Sequence, residues 1–205
     1  RDKLLGRKVL CFDTLDSTNR RAREEALRGA EEGLVVIADS QTRGRGRMGR
    51  SWSSPAGVNL YFSILMRPPL PPERVPQLTL LAGVSSARAV RRITGLEARL
   101  KWPNDIFISG RKAAGILAEM EGEVSRVQFV ILGIGVNANW DRDRMPEELR
   151  ETATSLRAEA GREFDRNTLA NEILDDLEKD YDLFRQQGFS KKNREEWNRL
   201  SLVNG

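Results

Sequence analysis

Between two apolar runs, Gly33 to Ala38 (GLVVIA) and Asn59 to Arg67 (NLYFSILMR), the chain carries QTRGRGRMGRSW, residues 41–52. The first ten of these residues hold four arginines and three glycines and no acidic residue. Glycines let a backbone bend and approach a ligand closely, and arginines supply permanently charged donor forks, so the combination suits a phosphate-rich anion. Both flanking runs read as strands, the first buried on both faces and the second alternating Leu60, Phe62, Ile64 and Met66 to one side. The Gly-Arg stretch is therefore a loop hung from rigid elements. Alone, it is equally compatible with a disordered Arg-Gly tract that binds nucleic acid loosely.

The rest of the chain reads as strands and helices of one α+β domain. Lys8 to Asp13 (KVLCFD) is a short strand that places Cys11 in a core. Ser17 or Thr18 then caps a helix running to about Ala30, with Ala22, Ala26 and Leu27 on one face. Five of eight prolines crowd into PPLPPERVP, a stiff connector to a helix over Gln77 to Ile93 whose stripe is Leu78, Leu81, Val84, Ser85 and Arg88. Ile106 to Ile108 and Gly115 to Met120 are strands joined through Ser109-Gly110, which sets Arg111 and Lys112 just past a hairpin turn. Val127 to Val136 adds a third antiparallel strand, a meander that gathers Lys101, Asp105, Lys112 and Asn137 in one region. Arg162 to Gly188 is an amphipathic helical region with Leu169, Ile173, Leu177, Tyr181 and Phe184 as core. The end, Leu202-Val203 followed by Asn204-Gly205, reads as a hairpin opening with no return strand.

With 205 residues and no internal repeat, one domain plus a stub is the expected organisation. The single cysteine excludes a disulfide framework and suits a reducing cytoplasm. No window approaches the roughly 20 apolar residues of a membrane span. Basic and acidic totals of 34 and 30 are nearly balanced, so overall charge gives no reason to invoke nucleic acid. Histidine is absent, which removes Ser-His-Asp and Cys-His dyads and histidine metal sites. Chemistry here falls to carboxylates, amines, arginines and backbone.

DSTN (residues 16–19), QTRGRGRMGRSW, KWPNDIFISGRKAAGILAEME (residues 101–121) and LGIGVNAN (residues 132–139), in that order, resemble the catalytic domain of the biotin protein ligases from about Val9 to Trp197. The resemblance implies a mixed, largely antiparallel sheet flanked by helices, of the biotin/lipoate ligase and class II aminoacyl-tRNA synthetase-like kind. It implies residues 1–188 as the catalytic domain and 189–205 as the start of a truncated C-terminal small β-barrel. The implied activity is that of a biotin–acetyl-CoA-carboxylase ligase. Biotin and ATP, with Mg²⁺, give biotinyl-5′-AMP, and a lysine of a biotin carboxyl carrier protein then takes the biotinyl group. No histidine base is required, because biotin's carboxylate is already ionised at neutral pH.

Position by position, the resemblance assigns Ser17, Thr18, Asn19 and Gln41 to the biotin head group, whose ureido ring both donates and accepts. Arg45, Gly46 and Arg47 match the loop over biotin and the adenylate phosphate, Arg50 extends the phosphate contacts, and Trp52 lies near the adenine. Lys112 reaches the biotin carboxylate and α-phosphate, with Gly115 beside it on the biotin side. Lys101, Asn104 and Asn137 fall to ATP, and no residue is assigned to the metal. Arg47, Asp105 and Lys112 are the catalytic candidates, Asp105 as the carboxylate that orients and deprotonates the incoming lysine. The loop is expected to be mobile when empty and ordered by ligand. A membrane is not implied, nor DNA binding by these residues, which lack the helix-turn-helix of some family members; a homodimer stays open. Two competing readings remain: a lipoate or octanoate ligase or transferase of the same fold, and an Arg-Gly nucleic-acid module.

Overall fold

The computed structural model describes residues 3–123 and 125–202. In chain order they form β1 (Val9–Leu15), α1 (Thr18–Leu27), β2 (Val35–Gln41), β3 (Leu60–Met66), α2 (Pro76–Thr94), β4 (Arg99–Lys101) and β5 (Asp105–Ile108). There follow β6 (Arg111–Glu123), β7 (Arg126–Val136), α3 (Glu147–Arg150), α4 (Leu156–Ala160), α5 (Arg166–Gln187) and α6 (Lys191–Leu200). Among the described residues the strands make one sheet, ordered β1-β2-β3-β7-β6-β5-β4. β1 and β2 pair in parallel, with α1 as the crossover that parallel neighbours require. The remaining pairs are antiparallel, so the mixed, largely antiparallel sheet expected from the sequence is present. Among the described residues no helix is long and apolar enough to cross a membrane.

Period-two alternation divides the sheet into two unequal faces. Leu60, Phe62, Ile64 and Met66 of β3 join Leu78, Leu81 and Val84 of α2 and Leu169, Ile173, Leu177 and Phe184 of α5 in the main core. On the other face Leu65, Phe129 and Ile131 join Leu34 and Val36 in a smaller cluster covered by Ala22 and Ala26 of the short α1. The part of this second face that α1 leaves open is where the pocket described below lies.

Arg88, on the buried stripe of α2, is bonded by Asp176 at 3.0 Å and Asp180 at 2.7 Å from α5, and by Glu196 at 3.1 Å from α6. Burial works against its charge, but the bonds from Asp180 and Asp176 outweigh that and hold the guanidinium above its ordinary range. Small residues of α2 let the neighbours in: an added Cβ at Gly83 would stand 3.2 Å from the Trp197 ring of α6.

Two local expectations change. Cys11 is exposed: β1 is an edge strand, Leu10 and Phe12 point toward α1, and Cys11 takes the opposite face. Leu27, at the last position of α1, is 58% exposed rather than on its packed face. Residues 191–200 form a helix with a Ser190–Asn193 capping box. That helix packs on α2, and the chain beyond it bridges from Ser201 to Leu100 of β4. The expected hairpin opening at Val203–Gly205 falls outside the described residues.

Candidate functional site

The half of the sheet not covered by α1 carries glycines where side chains would fill it. Gly133 and Gly135 alternate along β7, and Gly135 is directly opposite Gly115 of β6. An added Cβ at Gly133 would fall 2.1 Å from Asn19 Oδ1; one at Gly135 would fall 2.8 Å from the Trp52 indole, and one at Gly115 2.9 Å from it. The glycines therefore let Asn19 and Trp52 lie directly on the sheet. Above this floor is a pocket of about 370 Å³.

Ser17, Thr18, Asn19, Gln41, Arg45, Gly46, Arg47, Arg50, Trp52, Lys101, Asn104, Asp105, Lys112 and Gly115 all line it. Asn137 does not. Its amide donates to the Thr154 carbonyl at 3.0 Å and is buried, so in this structure it braces the segment after β7. A wider groove of about 960 Å³ lies by the β6–β7 turn and contains none of the expected residues.

One end of the pocket is neutral and fully hydrogen bonded. Ser17 caps α1, which aims Thr18 and Asn19 at the sheet. Gln41 Oε1 accepts from the Thr18 backbone N–H at 2.9 Å, and Gln41 Nε2 donates to Ser54 Oγ at 2.9 Å. Ser63 Oγ stands 2.6 Å from Asn19 Oδ1 and 2.8 Å from Thr18 Oγ1; an amide oxygen only accepts, so the serine proton goes to Asn19. Tyr61 also lines the pocket and donates to the Pro55 carbonyl at 3.1 Å. Burial pushes its phenol above the ordinary range, which keeps it a neutral donor.

The other end is cationic. The Gly-Arg stretch folds as a tight hairpin: Trp52 N–H donates to the Gly44 carbonyl at 2.8 Å and Gly46 N–H to the Arg50 carbonyl at 2.7 Å. A Cβ at Gly44 would come 2.3 Å from the Trp52 carbonyl, so the base of the hairpin needs a glycine. Arg47 and Arg50 are exposed near its tip, and Arg45 turns back to Glu119 at 3.1 Å. Lys112, the second residue of β6, reaches over Gly115 to Asp105 at 2.7 Å and stands 5.2 Å from the Trp52 ring centre. Its backbone is fixed on both sides, N–H to the Thr152 carbonyl and carbonyl from the Thr154 N–H, each 2.9 Å. Trp52 Nε1 is buried and finds no partner among the described residues. Asn104 donates to the Ile116 carbonyl at 2.7 Å, which pins the loop before β5 to the pocket wall.

Ser63, Gly133, Gly135 and Glu119 were not among the expected site residues. The sequence does carry faint signals for them: one serine inside an apolar strand, glycines at period two, and an acid two residues beyond Leu117 and four beyond Gly115 on the same face.

Fold and pocket together define an α+β ligand-binding domain in which an Arg-Gly hairpin overhangs a glycine-floored cleft. The chain belongs to the biotin/lipoate A/B protein ligase family, whose model matches residues 11–137. It is 43% identical over 188 residues to the bifunctional ligase/repressor BirA of Bacillus subtilis, covering 92% of this chain and 58% of that protein. It is 36% identical to the biotin–[acetyl-CoA-carboxylase] ligase of Mycobacterium tuberculosis, covering 87% and 67%. The structure of the Aquifex aeolicus biotin protein ligase in complex with biotin and ATP superposes with a TM-score of 0.83 at 32% identity, covering 96% of this chain and 79% of that one. The chain thus spans little more than half the length of the Bacillus relative it matches.

Proposed function

We propose that the chain activates biotin with ATP to biotinyl-5′-AMP and passes the biotinyl group to a lysine of a biotin carboxyl carrier protein. The observation that carries this reading is the two-ended pocket: a neutral donor–acceptor cluster of Thr18, Asn19, Gln41 and Ser63 at one end, and Arg47, Arg50 and Lys112 at the other. A ureido ring uses both donors and acceptors, and a carboxylate beside a triphosphate needs cations. The solved relative bound to biotin and ATP supports the same pairing of ligands.

In the first step the biotin carboxylate attacks the α-phosphorus and pyrophosphate leaves. The protein's part is to hold two anions in line and neutralise charge gathering on the phosphate. Lys112, fixed by Asp105, and Arg47 serve that purpose. Trp52 offers a stacking face and a free indole N–H. Among the described residues no three His, Cys, Asp or Glu side chains gather into a metal site, and Asp105 is already paired with Lys112. The described residues thus offer no resident cage for Mg²⁺; such an ion would arrive on the ATP phosphates.

In the second step the acceptor lysine attacks the acyl carbonyl of the mixed anhydride and AMP leaves. An alkylammonium with an ordinary pKa of about 10.4 must first lose a proton, and Asp105 is the carboxylate in the pocket wall placed to take it. Lipoate fits less well, because its dithiolane ring has no N–H or C=O group with which to engage the Thr18–Asn19–Ser63 cluster.

Biotin-dependent pyrophosphate release by the intact chain tests the reading, with Lys112→Ala and Arg47→Ala as comparisons. Release that follows lipoate rather than biotin would reverse it. Salt-sensitive RNA binding without biotin-dependent turnover would instead support the Arg-Gly module.

A further inference from the structure

We propose that Glu119 is a positioning residue that fixes the Asn19 amide for the ligand's ring and tethers Arg45 of the Gly-Arg hairpin over the same pocket. This rests on the biotin-ligase reading above. Glu119 lies on β6, on the face of Gly115 and Leu117, opposite Ile131 of β7. A carboxylate beside a site for two anions repels both, so its presence needs a compensating role. Both of its oxygens are engaged: Oε2 accepts from Asn19 Nδ2 at 2.7 Å and Oε1 from Arg45 at 3.1 Å.

An ionised carboxylate can only accept. It therefore draws the Asn19 NH₂ toward itself and turns the Asn19 oxygen toward Ser63 and Gly133, where that oxygen keeps a lone pair for a ligand N–H. The tether works on the hairpin from two sides. Arg45 is on one arm. The other arm is reached through a chain of hydrogen bonds from Asn19 to Ser63 and the Thr18 hydroxyl, then from the Thr18 backbone N–H to Gln41 and Ser54, which ends on the Trp52 carbonyl at 3.0 Å. Ring recognition and hairpin position are thus set by one side chain.

The test is calorimetric titration of biotin into the full chain and its Glu119→Gln variant, followed by steady-state kinetics. Glu121→Gln is the charge-matched control, since Glu121 pairs with Arg23 outside the pocket. Glu119→Gln should weaken biotin binding about tenfold, as expected for loss of charge-assisted hydrogen bonds. Its KM for biotin should rise while kcat at saturating biotin stays within about twofold. Glu121→Gln should change affinity less than about twofold. Arg45→Gln, at a more exposed position, should release the same tether, and the double variant should bind no worse than the weaker single. Trypsin should cut the hairpin faster in Glu119→Gln. Wild-type affinity in Glu119→Gln, or equal loss in Glu121→Gln, overturns the proposal. If the wild type itself takes no biotin, the functional reading fails instead. Hairpin cleavage then decides the tether alone, and equal rates in wild type and Glu119→Gln overturn it.

Discussion

The Lys112 ammonium stands 2.7 Å from the Asp105 carboxylate. The pair joins a residue from just after the β5–β6 turn to one at the start of β5, across a hairpin that fixes both backbones. Lys112 also lies near the Trp52 ring, so one cation is held between a carboxylate and an aromatic face. Lys112→Ala should lower biotin-dependent pyrophosphate release by about 10²–10³, the loss typical of one preorganised charge at a reacting oxyanion. Asp105→Asn separates two roles. Loss of the anchor should cost adenylate formation about tenfold, whereas loss of a base should slow acyl transfer from preformed biotinyl-AMP by about a hundredfold. Unchanged transfer in single-turnover assays excludes the base role.

Most of the pocket lining was legible because it lies in contiguous motifs: the Gly-Arg hairpin, the Lys101–Asp105 turn and the Lys112–Gly115 segment each deliver neighbouring residues to one place. The strand order is less legible, since β7 inserts between β3 and β6 and local pattern carries no record of that. Glu119 and Ser63 escaped notice because a strand shows which face a residue takes but not what stands above it. Cys11 was misplaced because its apolar neighbours make a buried strand and an edge strand look alike. Helix α6 went unassigned, although Ser190 and Asn193 at its start carry the capping-box pattern.

The seat of Trp52 gives a second prediction. Gly135 faces Gly115 across two strands, and a methyl at 135 would stand 2.8 Å from the indole, which must shift. Gly135→Ala should cost about 1–3 kcal/mol of stability by overpacking. It should also raise the KM for ATP while the circular dichroism spectrum stays that of the wild type. Unchanged ATP kinetics would remove Trp52 from the nucleotide site.

The Gly-Arg hairpin is held at its base by backbone bonds, while Arg47, Met48 and Arg50 near its tip are exposed at the pocket rim, with Arg47 reaching Asn104 Oδ1 at 3.5 Å. Glycines lose much conformational freedom on ordering, and neighbouring arginines repel one another. Biotin together with ATP should therefore slow tryptic cleavage between residues 43 and 50, and biotin alone should do so partially. Equal cleavage with and without ligands would mean that the hairpin does not serve as a cover.

Acid should loosen the helical layer before it harms the sheet. Burial opposes ionisation of Asp176, but the bonds from Arg92 and Arg88 outweigh that and hold its carboxyl below the ordinary range. A group with a depressed folded pKa stabilises the fold fully above its unfolded value, about 3.9 for aspartate, and loses that contribution as pH falls through the folded value. Thermal midpoints should therefore fall steadily on titration from about pH 5 downward. Asp176→Asn should lower stability at pH 7 by about 1–3 kcal/mol, since Arg88 keeps Asp180 and Glu196 as partners. The variant should also show a shallower decline below pH 4 than the wild type, because the group that binds the extra proton on unfolding is gone. Parallel pH profiles for the two proteins would place the acid sensitivity elsewhere.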